Sequence, residues 1–308
     1  MTDPIHTYHA NGKLLLSGEY FVLHGAKALA LPLKVGQQLS VYYEVPSKTI
    51  LWKAFYKDEV WFWCELNPDD YSVIATSDQD KAVLLSKIFQ IIPTLKPVLL
   101  PEAGYRLETS LNAHPDWGFG SSSTLISLLS QWVRINPFKL NQKIFNGSGF
   151  DIACAMADGP ILYTQNQTAQ RIDLDYPFEE QLLLVYSGKK KNTFPEVQSF
   201  LEGGIVPTYL IDEASALSDE FAVCSDQNTF NRLIHEHERL VGELIGQMPV
   251  KEALFADFQG EVKSLGAWGG DFFLVSGTEP LDEVKIYFGN RGFSTIFKWT
   301  ELILKPQA

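Results

Sequence analysis

A chain of 308 residues with a formal net charge of −12 excludes a phosphate-backbone partner, because nucleic acids are held by clustered Lys and Arg. The one cationic run is Lys189-Lys190-Lys191. With 45% hydrophobic and 20% charged residues and no low-complexity tract, the chain is not a disordered one. It is long enough for one large α/β unit or two medium domains.

The amino-terminal "MTDPIHTYHANGK" lacks the basic and apolar regions of a signal peptide, and no apolar run reaches the length of a membrane span. We therefore expect a cytoplasmic protein with no membrane partner. Cys64, Cys154 and Cys224 lie far apart in no metal-ligand spacing and are expected as reduced, buried thiols.

From Lys13 to Val45 the chain reads as strand, with a break at Ser17-Gly18 and a second run, "QQLSVYYEV", after Gly36. Residues 50–66, "ILWKAFYKDEVWFWCEL", read as a hairpin joined at Lys57-Asp58-Glu59. Its aromatic residues, Trp52, Phe55, Tyr56, Trp61, Phe62 and Trp63, either pack on a core or expose a surface suited to a homodimer. Residues 79–92 predict a helix with Val83, Leu84, Ile88 and Ile92 on or near one face, ending at Pro93. "GYRLETSL" returns to strand.

Leu125, Leu128, Leu129, Trp132 and Val133 then fall at helical spacing. A short helix is expected near 138–145, another from "GSGFDIACAMA", and a strand at "GPILYT". Beyond a boundary placed near residue 175, "LLLVYS" predicts a strand, followed by helical segments near 194–202 and 208–223. The long amphipathic "NRLIHEHERLVGELIGQM" comes next. His235 and His237 do not share a helix face, so they do not form a metal pair; His237 sits in the apolar stripe and reads as a partly buried core neighbour. The last segment, from "SLGAWGGD" onward, reads strand, glycine turn, strand, helix, strand.

The stretch "HPDWGFGSSSTLISLLSQW" places a glycine and serine turn directly against the start of a helix. Such a turn aims free backbone N–H groups and the positive end of the helix dipole at one spot, which binds anions and phosphate above all. Glycine lets the backbone approach closely, and serine hydroxyls can cap the helix or reach a magnesium ion. The plainer alternative is that Ser121, Ser122 and Ser123 are N-caps and the glycines only make a turn. The sequence is neither a Walker A nor a dinucleotide-binding pattern.

Four segments in order, "NGKLLLSGEYFVLHGAKALALPL" (11–33), "PDWGFGSSSTL" (115–125), "GSGFDIACA" (147–155) and "KSLGAWGGDFFLV" (263–275), resemble the motifs of the GHMP small-molecule kinases. The resemblance implies an α+β, two-domain GHMP kinase fold. A ribosomal-protein-S5-domain-2-like ATP-binding domain would occupy residues 1–175, and a ferredoxin-like domain residues 176–308. It implies ATP and Mg2+ as cofactors and a small-molecule acceptor. By the same likeness Gly118, Phe119, Gly120, Ser121, Ser122 and Ser123 wrap the ATP phosphates, with Ser122 reaching magnesium. Asp151 deprotonates or orients the accepting oxygen, and Lys13 lies near the transferred group, a minimal pair for phosphoryl transfer. Glu19, Ser148, Gly149, Lys190, Thr193, Gly266, Gly269 and Gly270 are the expected substrate-side residues.

Some positions depart from the family pattern. Asn11 stands for the usual proline, Tyr20 for a common histidine, and Trp268 lies inside the third glycine loop. Less chain separates Ser122 from Asp151 than in typical mevalonate kinases, and no Asp or Glu occurs between Thr124 and Phe150, where the family's second magnesium ligand usually lies. Either Asp116 or Asp271 takes that role, or the nucleotide holds the metal with its own oxygens and water. "GEY", "GSGFD" and "GGD" lean toward the mevalonate-pathway branch, mevalonate kinase or phosphomevalonate kinase. A diphosphomevalonate decarboxylase-like enzyme and a non-catalytic nucleotide-binding relative are the alternatives.

Overall fold

The computed structural model describes residues 3–44, 48–97, 104–189, 206–266 and 270–306. The chain divides into two compact units: Met1–Gly12, Val35–Pro115 and Phe119–Met156 form the first, and Lys13–Lys34, Asp116–Gly118 and Ala157–Ala308 the second. Strands β1 (His6–Ser17) and β2 (Ala28–Glu44) each contribute residues to both. The second unit thus takes up three stretches that lie before the boundary expected near residue 175.

In the first unit β3 (Ile50–Tyr56), β4 (Glu59–Leu66) and β5 (Val73–Thr76) precede helix α1 (Gln79–Leu95), strand β6 (Gly104–Leu111) and helices α2 (Ser121–Val133), α3 (Pro137–Ile144) and α4 (Phe150–Met156). The strand order is β5-β4-β3-β6-β2, with β3 parallel to β6 and the other neighbours antiparallel. The hairpin closes on Lys57 and Asp58, both at positive φ (49° and 64°), the two-residue turn whose twist matches that of its strands. Period-2 alternation splits the hairpin aromatics: Trp52 and Phe62 are core, whereas Trp61 and Trp63 are exposed.

Helix α1 begins where Asp78 accepts from the Lys81 amide at 3.1 Å. It does not stop at Pro93 but continues to Leu95. The proline costs the helix roughly 3 kcal/mol. Burial of Leu85, Ile88, Phe89 and Ile92, at roughly 1.5–3 kcal/mol each, outweighs it. Val83, assigned to the apolar face by spacing, is exposed.

The second unit contains β7 (Ile161–Tyr163), β8 (Gln170–Arg171) and β9 (Leu182–Tyr186). Helices α5 (Thr208–Val223), α6 (Gln227–Ile245) and α7 (Val250–Leu254) follow. The chain then forms β10 (Gly260–Leu265), β11 (Phe272–Gly277), α8 (Leu281–Gly289), β12 (Ile296–Lys298) and α9 (Trp299–Leu302). The helix expected near 194–202 lies outside the described residues. A four-stranded antiparallel sheet has the order β10-β11-β9-β12. With its crossover helices it is the β-α-β-β-α-β arrangement of ferredoxin-like domains. Its core packs Leu183, Val185, Val262, Phe273 and Val275 against Phe255 and Phe288. Helix α6 starts on Asp226, which accepts from the Thr229 amide at 2.9 Å, and ends at Gly246 in the left-handed region. All three cysteines are buried and none is in a disulfide, and burial pushes the Cys64 thiol up to about 12.

Candidate functional site

The glycine turn is built to leave donors open. Gly118 and Gly120 have φ of 68° and 85°, values that side chains disfavour. The N-cap of α2 is Gly120, so no side chain caps the helix, and no acidic residue occupies its first turn. The serines therefore do not cap α2 from outside it; they lie within its first turn. Ser123 donates back to the Gly120 carbonyl at 2.8 Å, while Thr124 donates to Gln37 Oε1 at 2.7 Å. These bonds fix the turn from below and leave the exposed Ser122 at the open helix end. A helix of 13 residues with an uncapped start presents its N–H groups and partial positive charge outward, and these fit the oxygens of a triphosphate.

Gly118 has a second reason to be glycine. A Cβ there would lie 1.8 Å from Asp271 Oδ2, so the carboxylate of the third glycine segment occupies the space a side chain would need. Asp116 and Asp271 both bear on Tyr186, whose phenol is pushed up by burial and then by these two charges.

In the first unit, α2 and α4 pack together. Buried Ser148 and Gly149 (φ 91°) lead into α4, and Asp151 sits half-buried in its first turn. This unit therefore gathers the serine turn, Ser148, Gly149 and Asp151. The second unit gathers half-buried Lys13 on β1, Glu19, Gly118, Gly266 and Gly270. Lys190, Thr193, Gly269 and Trp268 lie outside the described residues.

Glu19, expected on the substrate side, faces the interior of the second unit, where a carboxylate needs a partner to be tolerated. Lys263 Nζ, 2.6 Å from Oε1, is that partner, whereas Oε2 lies 3.2 Å from His237 Nε2 without receiving a hydrogen bond from it. Burial raises the Glu19 carboxyl, and Lys263 offsets part of that rise. His237 is fully buried and accepts the Gly18 amide on Nε2 at 2.9 Å. That nitrogen carries a lone pair, so the ring is neutral; burial and then Lys263 hold its pKa well below the usual value. Beside it, Glu238 accepts from the Val250 amide at 3.2 Å and the Ser264 amide at 3.0 Å. Burial pushes Glu238 up to about 7. Sequence reasoning missed this cluster: His237 was read only as part of an apolar stripe, Glu238 was not singled out, and Lys263 only opened the fourth family-like segment.

Among the described residues no group of three or more His, Cys, Asp or Glu gathers to hold a metal ion, and no helix is long and apolar enough to cross a membrane.

The architecture is the α+β fold of the GHMP small-molecule kinases. The mevalonate kinase of Methanococcus jannaschii matches with TM-score 0.70 and 17% identity over 98% of each chain. A Streptococcus pneumoniae phosphomevalonate kinase in complex with phosphomevalonate and AMPPNP matches with TM-score 0.71 and 16% identity, over 96% of this chain and 100% of that one. A Lactococcus lactis galactokinase complexed with galactose matches with TM-score 0.64 and 11% identity, over 98% of this chain and 94% of that one. No protein-family model matches the chain, and no curated protein matches it by sequence.

Proposed function

We propose that the protein is an ATP-dependent kinase of a small anionic metabolite, acting in the mevalonate (isoprenoid) pathway on mevalonate or phosphomevalonate. The observation that carries this reading is the uncapped, glycine-led start of α2. A helix end left without a cap is a standing site for phosphate. The fold likeness to mevalonate and phosphomevalonate kinases, one of them holding phosphomevalonate and AMPPNP, supports the acceptor class.

MgATP, when bound, supplies the phosphoryl group. The N–H groups of residues 121–123 hold its phosphates, with Gly118, Phe119 and Gly120 shaping the approach. Asp151 orients the accepting oxygen and, where that oxygen is a hydroxyl, takes its proton, and Lys13 neutralises charge on the transferred group. By the family resemblance Ser148, Gly149, Gly266 and Gly270 are acceptor-side residues in this reading, as are Gly269, Lys190 and Thr193, which lie outside the described residues. Ser122 would offer one oxygen to magnesium, and either Asp116 or Asp271 would add a second ligand or the nucleotide's own oxygens and water would supply the rest. The enzyme works in the cytoplasm, and the exposed Trp61 and Trp63 row is the surface to examine for a homodimer.

The test is ADP release by purified protein with MgATP and, in turn, mevalonate, 5-phosphomevalonate, galactose and homoserine, with product mass recorded. Acceptor-dependent ADP and a product heavier by one phosphoryl group are expected with one of the first two. Silence with all four, MgATP binding being intact, would contradict the reading.

A further inference from the structure

The buried cluster on α6 has contacts of an unusual kind. Burying charge is costly, and a well-packed apolar set of the same volume often serves stability as well or better. What apolar residues cannot do is grip backbone groups directionally. Here the side chains do that: His237 accepts the Gly18 amide, Glu238 accepts the Val250 and Ser264 amides, and Lys263 donates to the Ser264 carbonyl at 2.9 Å. Lys263 also pairs with Glu19. Two neighbouring residues of one helix thus fasten the start of α7 and, besides it, two further segments. One is the Gly18-Glu19-Tyr20 turn that follows the strand bearing Lys13. The other is the end of β10, which runs straight into Gly266.

Both segments are conformationally demanding. Gly18 and Gly266 have φ of 91° and 85°, and Tyr20 is held at 63° without being glycine. A Cβ on Gly18 would come within 2.7 Å of Ala28 Cβ. Strained backbone of this sort persists only where its surroundings over-determine it. Lys13 is electrically coupled to the same network, since its charge lowers the Glu19 carboxyl.

We propose that His237 and Glu238 are positioning residues that hold the Gly18–Tyr20 turn and the Lys263–Gly266 strand end in the geometry phosphoryl transfer requires. This rests on the kinase reading above for its catalytic half and on the second unit alone for its anchoring half.

The experiment uses the full chain and four variants: His237→Leu, His237→Gln, Glu238→Leu and Glu238→Gln. Gln at 237 keeps an acceptor for the Gly18 amide, and Gln at 238 keeps one of two; Leu keeps none. Amide hydrogen exchange over residues 14–22 and 260–266 is followed without nucleotide, and kcat and KM for ATP are measured with the active acceptor.

Expected are faster exchange in both segments for the Leu variants and a kcat loss on the order of 100-fold, the scale of a small misplacement of reacting groups. KM for ATP stays within about threefold, because the α2 turn is unaltered. His237→Gln restores most of both losses. Should a Leu variant fail to fold, the two Gln variants carry the test, with Glu238→Gln slower in kcat and faster in exchange over 260–266 alone. Wild-type exchange in folded Leu variants would overturn the anchoring, and faster exchange with wild-type kcat would overturn the link to catalysis. A wild-type chain inactive on every acceptor would overturn the kinase reading and the catalytic half with it, while exchange still decides the anchoring.

Discussion

The start of α2 and the middle of α6 are both polar, and they treat hydrogen bonding in opposite ways. At α2 the N-cap is a glycine and the first turn carries neither a capping side chain nor an acid; its donors are left open. At α6 the side chains of His237 and Glu238 are buried and spend their acceptors on backbone amides of other segments. Groups left unsatisfied at a surface cost little, because water serves them until a ligand arrives. The same groups left unsatisfied in the interior would cost about 1–3 kcal/mol each. The closure at α6 is confined to the acceptors that grip backbone, because His237 Nδ1 and Glu19 Oε2 in the same cluster are buried with no hydrogen-bond partner.

Several substitutions can break or sharpen this contrast. The largest effect is expected at Asp151, whose conversion to Asn should lower turnover by on the order of 1000-fold while leaving MgATP affinity within about twofold. Steady-state kinetics with calorimetric binding checks it, and wild-type turnover would remove Asp151 from the mechanism. Next comes Lys263→Met, which strips the buried Glu19 of its partner. We expect a loss of about 3–5 kcal/mol in denaturant unfolding, much of it recovered in the Lys263→Met/Glu19→Gln double variant. Simple additivity would contradict the pairing.

The pH dependence of stability gives a smaller effect with a defined sign. Glu238 is raised from 4.5 to about 7 by burial, so the folded chain holds that proton more tightly than the unfolded one. Its contribution is fully present below pH 4.5 and is lost as pH rises through about 7. The groups around it are Lys263, Glu19 and His237, with His235, Lys251, Glu252 and Glu261 lining the adjoining cavity of about 210 Å³. His237 has the opposite sign: it is depressed from 6.5, so its contribution is present above that value and is lost as pH falls. Unfolding curves across this range should therefore differ between the parent and Glu238→Gln by a component that declines with rising pH. An identical pH profile would refute the assignment. In the hairpin the buried Trp52→Ala should cost about 3–5 kcal/mol, comparable to Lys263→Met, and the exposed Trp63→Ala, the smallest effect of all, under about 1 kcal/mol.

Much of the architecture was legible in the sequence. "GYRLETSL" and residues 208–223 matched β6 and α5 residue for residue, because periodicity and flanking turn residues agreed there. The alternating "WFWCEL" also carried the division between core and exposed faces. Pro93 misled, because tertiary burial of Phe89 and Ile92 overrode a local breaker. From its chemistry alone the glycine turn reads either as an anion site or as a plain turn with serine N-caps. That Gly120 rather than a serine is the N-cap needed backbone angles. The Glu19, His237, Glu238 and Lys263 cluster was illegible because its members are far apart in sequence and each has an ordinary local role.

The most direct test of the open turn at α2 is Ser122→Asp, followed by thermal unfolding and by calorimetric titration with MgATP. A carboxylate in the first turn complements the helix dipole and should raise stability by about 0.3–1 kcal/mol, while lying where a phosphate would sit. The account predicts unchanged or higher stability together with a loss of MgATP affinity on the order of 100-fold. Higher stability with MgATP affinity intact would mean that the turn only begins a helix.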